Sequence, residues 1–360
     1  MNPVDYPLRT GGDRGYLRIA TEEAFCPPEL MSRFVQILRD RSVDDPGFYS
    51  LWGFYGGSSE RARLLSERIQ NIGERRINDM DAAGIDMQVL GITCPGVQMF
   101  DPAEGAAMAI DANDQLADAV ARHPDRFIGL AAIAPQAPEE SAREIERAIT
   151  KLRFKGVIVN SHIQNHYLDE PQFTPVLAAC EALDVPLYIH PNTPSKQIIQ
   201  PFLDRALEAA IFGFGVETGL HLTRLITAGV FDRFPKLRVV AGHLGEALPF
   251  WIRRMDFWHT ASVPAGRKGT IKLDRTPLEV LQQNFWVTSS GMPWTETILY
   301  TQKVMGVDRV MYAMDYPYQY VAEEVRMQDN LPISFEDKRR YFQTNAEKVF
   351  NIGLATVGRA

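Results

Sequence analysis

LRVVAGHLGE, residues 237–246, is the stretch that decides the fold. Leu237, Val239, Val240 and Ala241 form a short apolar run rich in β-branched residues, which reads as a buried strand. At its end Gly242 and Gly245 flank His243, and Glu246 opens an apolar-periodic segment, ALPFWIRRMDFW. An imidazole and a carboxylate three residues apart at the mouth of a strand can hydrogen-bond, which orients the ring and favours its protonated form. Taken alone, the same residues also fit a loop histidine capped by a glutamate, so the other strands have to decide.

Working outward, the chain repeats this strand-then-helix pattern. Strand candidates are YLRIAT (16–21, ending in Glu22, Glu23 and Ala24), IDMQVLGIT (85–93), 127–133, GVIVNS (156–161), LYIH (187–190), FWVTSSG (285–291) and RVMYAMD (309–315). Helical periodicity separates them at 104–122, 138–152, 171–183, 216–231, 246–260, 276–283 and 295–305, and a last helix covers 334–350. Gly84 sits where a helix C-cap belongs. Continuous apolar strands fit a parallel sheet covered on both faces, and eight strand–helix units in 360 residues predict an α/β fold, a (β/α)8 TIM barrel. A polar arm (1–15) precedes a single barrel domain (16–360), with an insertion after strand 1 at about 27–73.

Composition narrows the class. Apolar residues make up 45% and charged residues 23%, with a net charge of −7. That balance predicts neither nucleic acid nor a membrane as partner. Three scattered cysteines predict a reducing, cytoplasmic setting without a disulfide framework. No apolar run is long enough to cross a bilayer.

In such a barrel, functional groups gather at the C-terminal ends of the strands. The polar residues there are Glu22, Thr93, Asn160, His162, His190, His243, residues 288–290 and Asp315. Each has an ordinary structural role open to it, as a cap or a satisfied core group. Of seven histidines, three fall at strand ends, and joint placement around one mouth points to a site. Glu22, His190 and Asp315 offer two carboxylates and one imidazole, a set suited to one divalent cation, Mn²⁺ in preference to Zn²⁺.

Glu-x-Ala on strand 1, IHP on strand 5, GHxGE on strand 6 and AMDYP on strand 8 resemble the amidohydrolase superfamily. Within it the chain is similar to the metal-dependent aromatic acid decarboxylases: γ-resorcylate, 2,3-dihydroxybenzoate and 5-carboxyvanillate decarboxylases, with aminocarboxymuconate semialdehyde decarboxylase more distant. The stretches TEEAF, SLWGFY, PDRFIG, YIHP, AIFGFGVETGLHLTRLIT, GHLGEALPFW and VMYAMDYPYQYVAEEVR look closest to the 5-carboxyvanillate group. Two departures from the superfamily's hydrolases matter. Strand 1 carries Glu22 and Ala24 where hydrolases show His-x-His, and strand 4 ends Asn160-Ser161-His162 without a bridging lysine, Lys155 lying at its other end. Both point to a single metal.

The resemblance implies Glu22, His190 and Asp315 as metal ligands and His243 with Glu246 as a dyad beside the substrate. It makes Arg61 and Arg254 candidates for gripping a substrate carboxylate, where a guanidinium acts bidentately, although each also reads as a surface arginine. Thr93, Phe214 and Tyr318 are the remaining substrate-binding candidates. Trp52, Phe54, Tyr55, Phe212 and Phe214 could wall a pocket for a ring, or simply pack.

The implied reaction is non-oxidative decarboxylation of an ortho-hydroxy aromatic acid, 5-carboxyvanillate to vanillate in the breakdown of lignin-derived aromatics. Asp315 is the expected proton donor and His243 its rival, with no organic cofactor; a small aromatic carboxylate is the expected partner, and a homodimer the expected assembly. The alternatives are a γ-resorcylate or 2,3-dihydroxybenzoate substrate, a mononuclear hydrolase such as a lactonase, and a catalytically silent binding barrel.

Overall fold

A computed structural model describes residues 14–353, so most of the expected N-terminal arm lies outside the described residues. Eight parallel strands run in the order β1 to β8: β1 Ile19–Phe25, β2 Met87–Ile92, β3 Phe127–Ala132, β4 Gly156–Asn160, β5 Leu187–His190, β6 Val239–Ala241, β7 Phe285–Thr288 and β8 Val310–Met311. Every strand residue is buried, which is why these segments read as unbroken apolar runs rather than as alternating ones. Helices stand between successive strands, as in a TIM barrel. No helix among the described residues is long and apolar enough to cross a membrane.

Local chemistry sets the helix starts. Asp101 caps the helix Pro102–Arg122 by accepting from Ala103 and Glu104 N–H, and Thr276 with Glu279 forms a reciprocal capping box on Pro277–Asn284. Gly84 ends Glu74–Ala83 at φ +74°. Between β1 and that helix lie three more, Pro28–Asp40, Pro46–Tyr55 and Glu60–Ile69.

Four of the boundaries that differ from the sequence reading have a clear physical reason. The helix expected from 246 begins at Leu248, because residues 243–247 all have positive φ and form a left-handed turn. The helix expected over 216–231 spans Gly213–Thr227, and Gly229 at φ +67° separates it from Val230–Arg233. Strand 1 runs on through Glu22, Glu23 and Ala24 to Phe25, with a bulge between Ala20 and Glu23. On strand 8 the ladder stops at Met311, since Tyr312 N–H turns to the Tyr341 carbonyl at 2.9 Å.

That early exit leaves a seam. Among the described residues no ladder joins β8 to β1. Thr21 N–H donates to the Tyr312 carbonyl at 3.1 Å and Ala24 N–H to that of Tyr316 at 2.7 Å, so two backbone bonds and side chains close the barrel there.

Candidate active site

Glu22 is the hub of the barrel mouth, and its two oxygens live in different worlds. Oε2 accepts from three hydroxyls: Ser290 at 2.5 Å, Thr288 at 2.9 Å, and Tyr188. Oε1 is buried without a hydrogen-bond partner. A bare buried carboxylate oxygen is costly unless something positive meets it. Two imidazole nitrogens approach it, His190 Nε2 at 3.7 Å and His243 Nε2 at 3.6 Å. Gly242 permits this closeness, because a Cβ there would stand 2.3 Å from a Glu22 oxygen.

Both rings are oriented from behind. His190 Nδ1 donates to the Pro191 carbonyl at 2.9 Å, which leaves Nε2 facing Glu22. Burial holds the His190 pKa below its usual value, favouring the neutral ring that binds a cation. His243 Nδ1 meets Glu246 Oε1 at 2.7 Å, the pairing expected from GHLGE, and its Nε2 lies 4.0 Å from Asp315 Oδ2. Burial lowers the His243 pKa, but the carboxylates of Glu246, Glu22 and Asp315 outweigh it and raise it to about 10. Asp315 is raised to about 8, chiefly by burial and against the pull of His243. Glu22 is lowered: burial pushes it up, and His243, His190 and its hydroxyl donors more than reverse that.

The turn carrying His243 is strained. His243, Leu244, Gly245, Glu246 and Ala247 have φ of 49°, 55°, 78°, 51° and 62°, a run of left-handed residues of which only one is glycine. Such backbone persists only where surrounding structure over-determines it, and it clusters at functional sites. One anchor is visible: His243 N–H donates to Ser290 Oγ at 3.2 Å, the same hydroxyl that donates to Glu22.

The donors fit a divalent cation. Ligand atoms of Glu22, His243 and Asp315 lie within 4.8 Å of one another, the one such group of three or more among the described residues, and the bare Oε1 is its natural anchor. This mutual cluster holds His243 where the sequence reading had His190; His190 stands beside it through Glu22. Strand 4 contributes no lysine: Asn160 ends it, Ser161 follows, and Lys155 precedes it. His162, also at that end, is satisfied by the Thr193 carbonyl and the Asn165 N–H, so it is structural.

The substrate-binding candidates separate into three places. Phe214 lines a cavity of about 760 Å³ with His243, Glu246 and Asp315. Phe212 and Trp251 also line it, so its wall is largely apolar and aromatic. Thr93, Tyr318 and Arg61 form a second group: the Thr93 and Tyr318 hydroxyls are 2.5 Å apart, and Arg61 donates to the Tyr318 carbonyl at 3.3 Å. Arg254 is exposed on the helix Leu248–Ser262 and does not line the cavity. Of the insertion's aromatics, Tyr55 packs on Tyr318 with centroids 5.2 Å apart, Phe54 is exposed, and Trp52 is buried against Phe34 in the core.

Two site residues escaped the sequence reading. Tyr188 stands two positions before His190, so the period of a strand puts both side chains on one face; that signal was available. Glu23 was hidden by its neighbour, because a bulge, which no local pattern announces, lets adjacent glutamates both be buried.

Comparison with known proteins gives the following. A family model described as amidohydrolase matches residues 51–352. The chain is 33% identical over 347 residues to a γ-resorcylate decarboxylase of Rhodococcus jostii, covering 93% of this chain and 98% of the relative. A crystal structure of 5-carboxyvanillate decarboxylase from Novosphingobium aromaticivorans, complexed with manganese and 4-hydroxy-3-methoxy-5-nitrobenzoic acid, is similar with a TM-score of 0.93 and 52% identity, covering 97% of this chain and 99% of that one. A dihydroxybenzoic acid decarboxylase from Polaromonas sp., with bound manganese and the inhibitor 2-nitroresorcinol, is similar with a TM-score of 0.81 and 31% identity, covering 94% and 97%.

Proposed function

The chain belongs to the amidohydrolase family, and we propose that it is a carboxy-lyase removing CO₂ from an ortho-hydroxy aromatic acid, 5-carboxyvanillate, to give vanillate. One observation carries the reading: the unpartnered oxygen of Glu22 is faced by His190 and His243, and ligand atoms of Glu22 lie within 4.8 Å of those of His243 and Asp315, which line an aromatic-walled cavity. Glu22, Asp315 and His190, whose ring burial keeps neutral, would hold one divalent cation, Mn²⁺, while His243, paired with Glu246 and held in its protonated form, stands next to it. When bound, the cation supplies Lewis-acid polarisation of the substrate's phenolic and carboxylate oxygens.

The chain's residues do the rest. Phe214 and its aromatic neighbours hold the ring and exclude water from it. Asp315 delivers a proton to the ring carbon that bears the carboxylate, breaking aromaticity; the C–C bonding pair then returns to the ring as CO₂ leaves. Bound to the cation, Asp315 would be ionised, so it first collects this proton from substrate or water. His243, held by Glu246, stabilises the negative charge that develops on the phenolic oxygen. Arg61, with Thr93 and Tyr318, takes the substrate's second carboxylate.

We place the enzyme in the cytoplasm, in breakdown of lignin-derived aromatics, as a homodimer. Phe250, Trp251, Phe257 and Trp258, all exposed on one helix beside the cavity, support the dimer. A γ-resorcylate-type substrate is the second reading, favoured by the relatives at about a third identity.

The test is metal analysis of the purified protein together with a panel of ortho-hydroxy aromatic acids, reading CO₂ release. Turnover highest on 5-carboxyvanillate supports the proposal, and preference for γ-resorcylate selects the second reading. Inactivity across the panel with hydrolysis of a lactone would overturn both.

A further inference from the structure

β1 buries two adjacent glutamates, and the reaction described above uses only Glu22. The partners of Glu23 define what it does. Met314 N–H donates to its Oε1 and Tyr316 N–H to its Oε2, each at 2.9 Å. Asp315 is the residue between those two amides, and its φ is +71°, a left-handed conformation disfavoured for any residue with a Cβ. A strained residue of this kind needs restraint from both sides. Glu23 supplies it at the seam where no ladder joins β8 to β1.

The clamp is itself braced. Gln88 Nε2 donates to Glu23 Oε2 at 3.4 Å. Fully buried Arg76 donates to Gln88 Oε1 at 3.2 Å and to the Ala24 carbonyl at 2.6 Å, and its guanidinium lies over the Tyr316 ring, 4.5 Å from the centroid. The β1 bulge lets Glu22 face the mouth while Glu23 faces the seam.

We infer that Glu23 is a positioning residue for the decarboxylation: its carboxylate grips the two amides flanking Asp315 and holds that side chain towards Glu22 and His243. This rests on the role given to Asp315 under Proposed function. Without the grip, Asp315 is free to return to an extended φ, which swings its carboxylate out of the cluster.

Glu23→Gln tests it at nearly constant shape, because the substitution turns one accepting oxygen into an NH₂ that confronts an amide N–H. The readouts are the Mn²⁺ dissociation constant of the metal-stripped protein, kcat and KM at saturating Mn²⁺, and Tm. The comparator is Thr21→Val, which removes the Thr21 hydroxyl bond to the Tyr312 carbonyl (2.7 Å) in the same seam and leaves the Asp315 amides alone. We expect Glu23→Gln to weaken Mn²⁺ binding and lower kcat by about tenfold or more each, with KM within about twofold. Thr21→Val should lower Tm yet keep both values near wild type.

Glu23→Gln with wild-type kcat and Mn²⁺ affinity would overturn the inference, as would equal catalytic losses in the two variants. If Glu23→Gln does not fold, Gln88→Leu decides: a loss of about threefold in Mn²⁺ affinity supports the clamp, and no change refutes it. Asp315→Asn run in parallel separates the two claims. Full activity there removes the role of Asp315, whereas activity lost in Asp315→Asn but kept in Glu23→Gln removes only the clamp.

Discussion

The interior of this barrel and its mouth are built on opposite terms. Inside, residues such as Val159, Ile189, Val240 and Phe285 are fully buried in extended strands, each apolar and each where its backbone prefers to be. At the mouth, residues 243–247 and Asp315 hold positive φ, and four ionisable groups crowd into one small space. The interior supplies stability that the mouth consumes. Strain and buried charge, unfavourable by themselves, persist because a rigid ring of strands carries them.

If that division is real, substitutions on the two sides should separate activity from stability. The largest effect belongs to the mouth: Asp315→Asn should lower kcat by a factor on the order of 10³ while leaving substrate binding measurable and Tm close to wild type, checked by steady-state kinetics and thermal melts. A large fall in Tm would mean that Asp315 is structural. The converse change is Ile189→Ala, which empties part of the fully buried core. It should cost about 2–5 kcal/mol in denaturant unfolding and leave kcat per folded molecule nearly unchanged.

A third way to sharpen the contrast is pH. His243 and Asp315 both have folded-state pKa values raised above their ordinary ones, to about 10 and 8. Each binds its proton more tightly folded than unfolded, so metal-stripped protein should lose stability as pH rises from 7 through 10. Glu22 has the opposite sign, and its contribution is lost only as pH falls below the carboxylate range. Melts of stripped protein across pH 6–10 should therefore fall steadily, and Mn²⁺ should flatten the curve by offsetting the crowded carboxylates. A rising curve would contradict these assignments.

The smallest effect expected is at Ser290→Ala. Oε2 of Glu22 keeps two of its three hydroxyl donors, so Mn²⁺ affinity should drop only several-fold, read by equilibrium titration. A loss as deep as that of Asp315→Asn would show Ser290 doing more than orienting Glu22.

The same contrast explains what was legible in the sequence. The interior announces itself: buried parallel strands must be apolar runs, so the barrel and all eight strands could be read directly. Glu22, His190, His243, Glu246 and Asp315 were legible because chemistry-bearing residues at strand ends stand out against those runs. What stayed hidden is what depends on left-handed backbone and on long-range contact. Nothing local in HLGEA says that the turn is left-handed, so periodicity alone starts the following helix two residues early. Nothing local in TEEAF distinguishes a glutamate facing the barrel mouth from one gripping the amides of residues about 290 positions away. The joining of Glu22 to both His190 and His243 is likewise a fact of three strands, not of one motif.

Titration of the metal-stripped protein with Mn²⁺, following ion binding and CO₂ release from 5-carboxyvanillate together, tests the central claim most directly. One ion per chain is expected, with decarboxylation absent from stripped protein and rising in step with occupancy. Two ions per chain, or full turnover in stripped protein, would contradict the account.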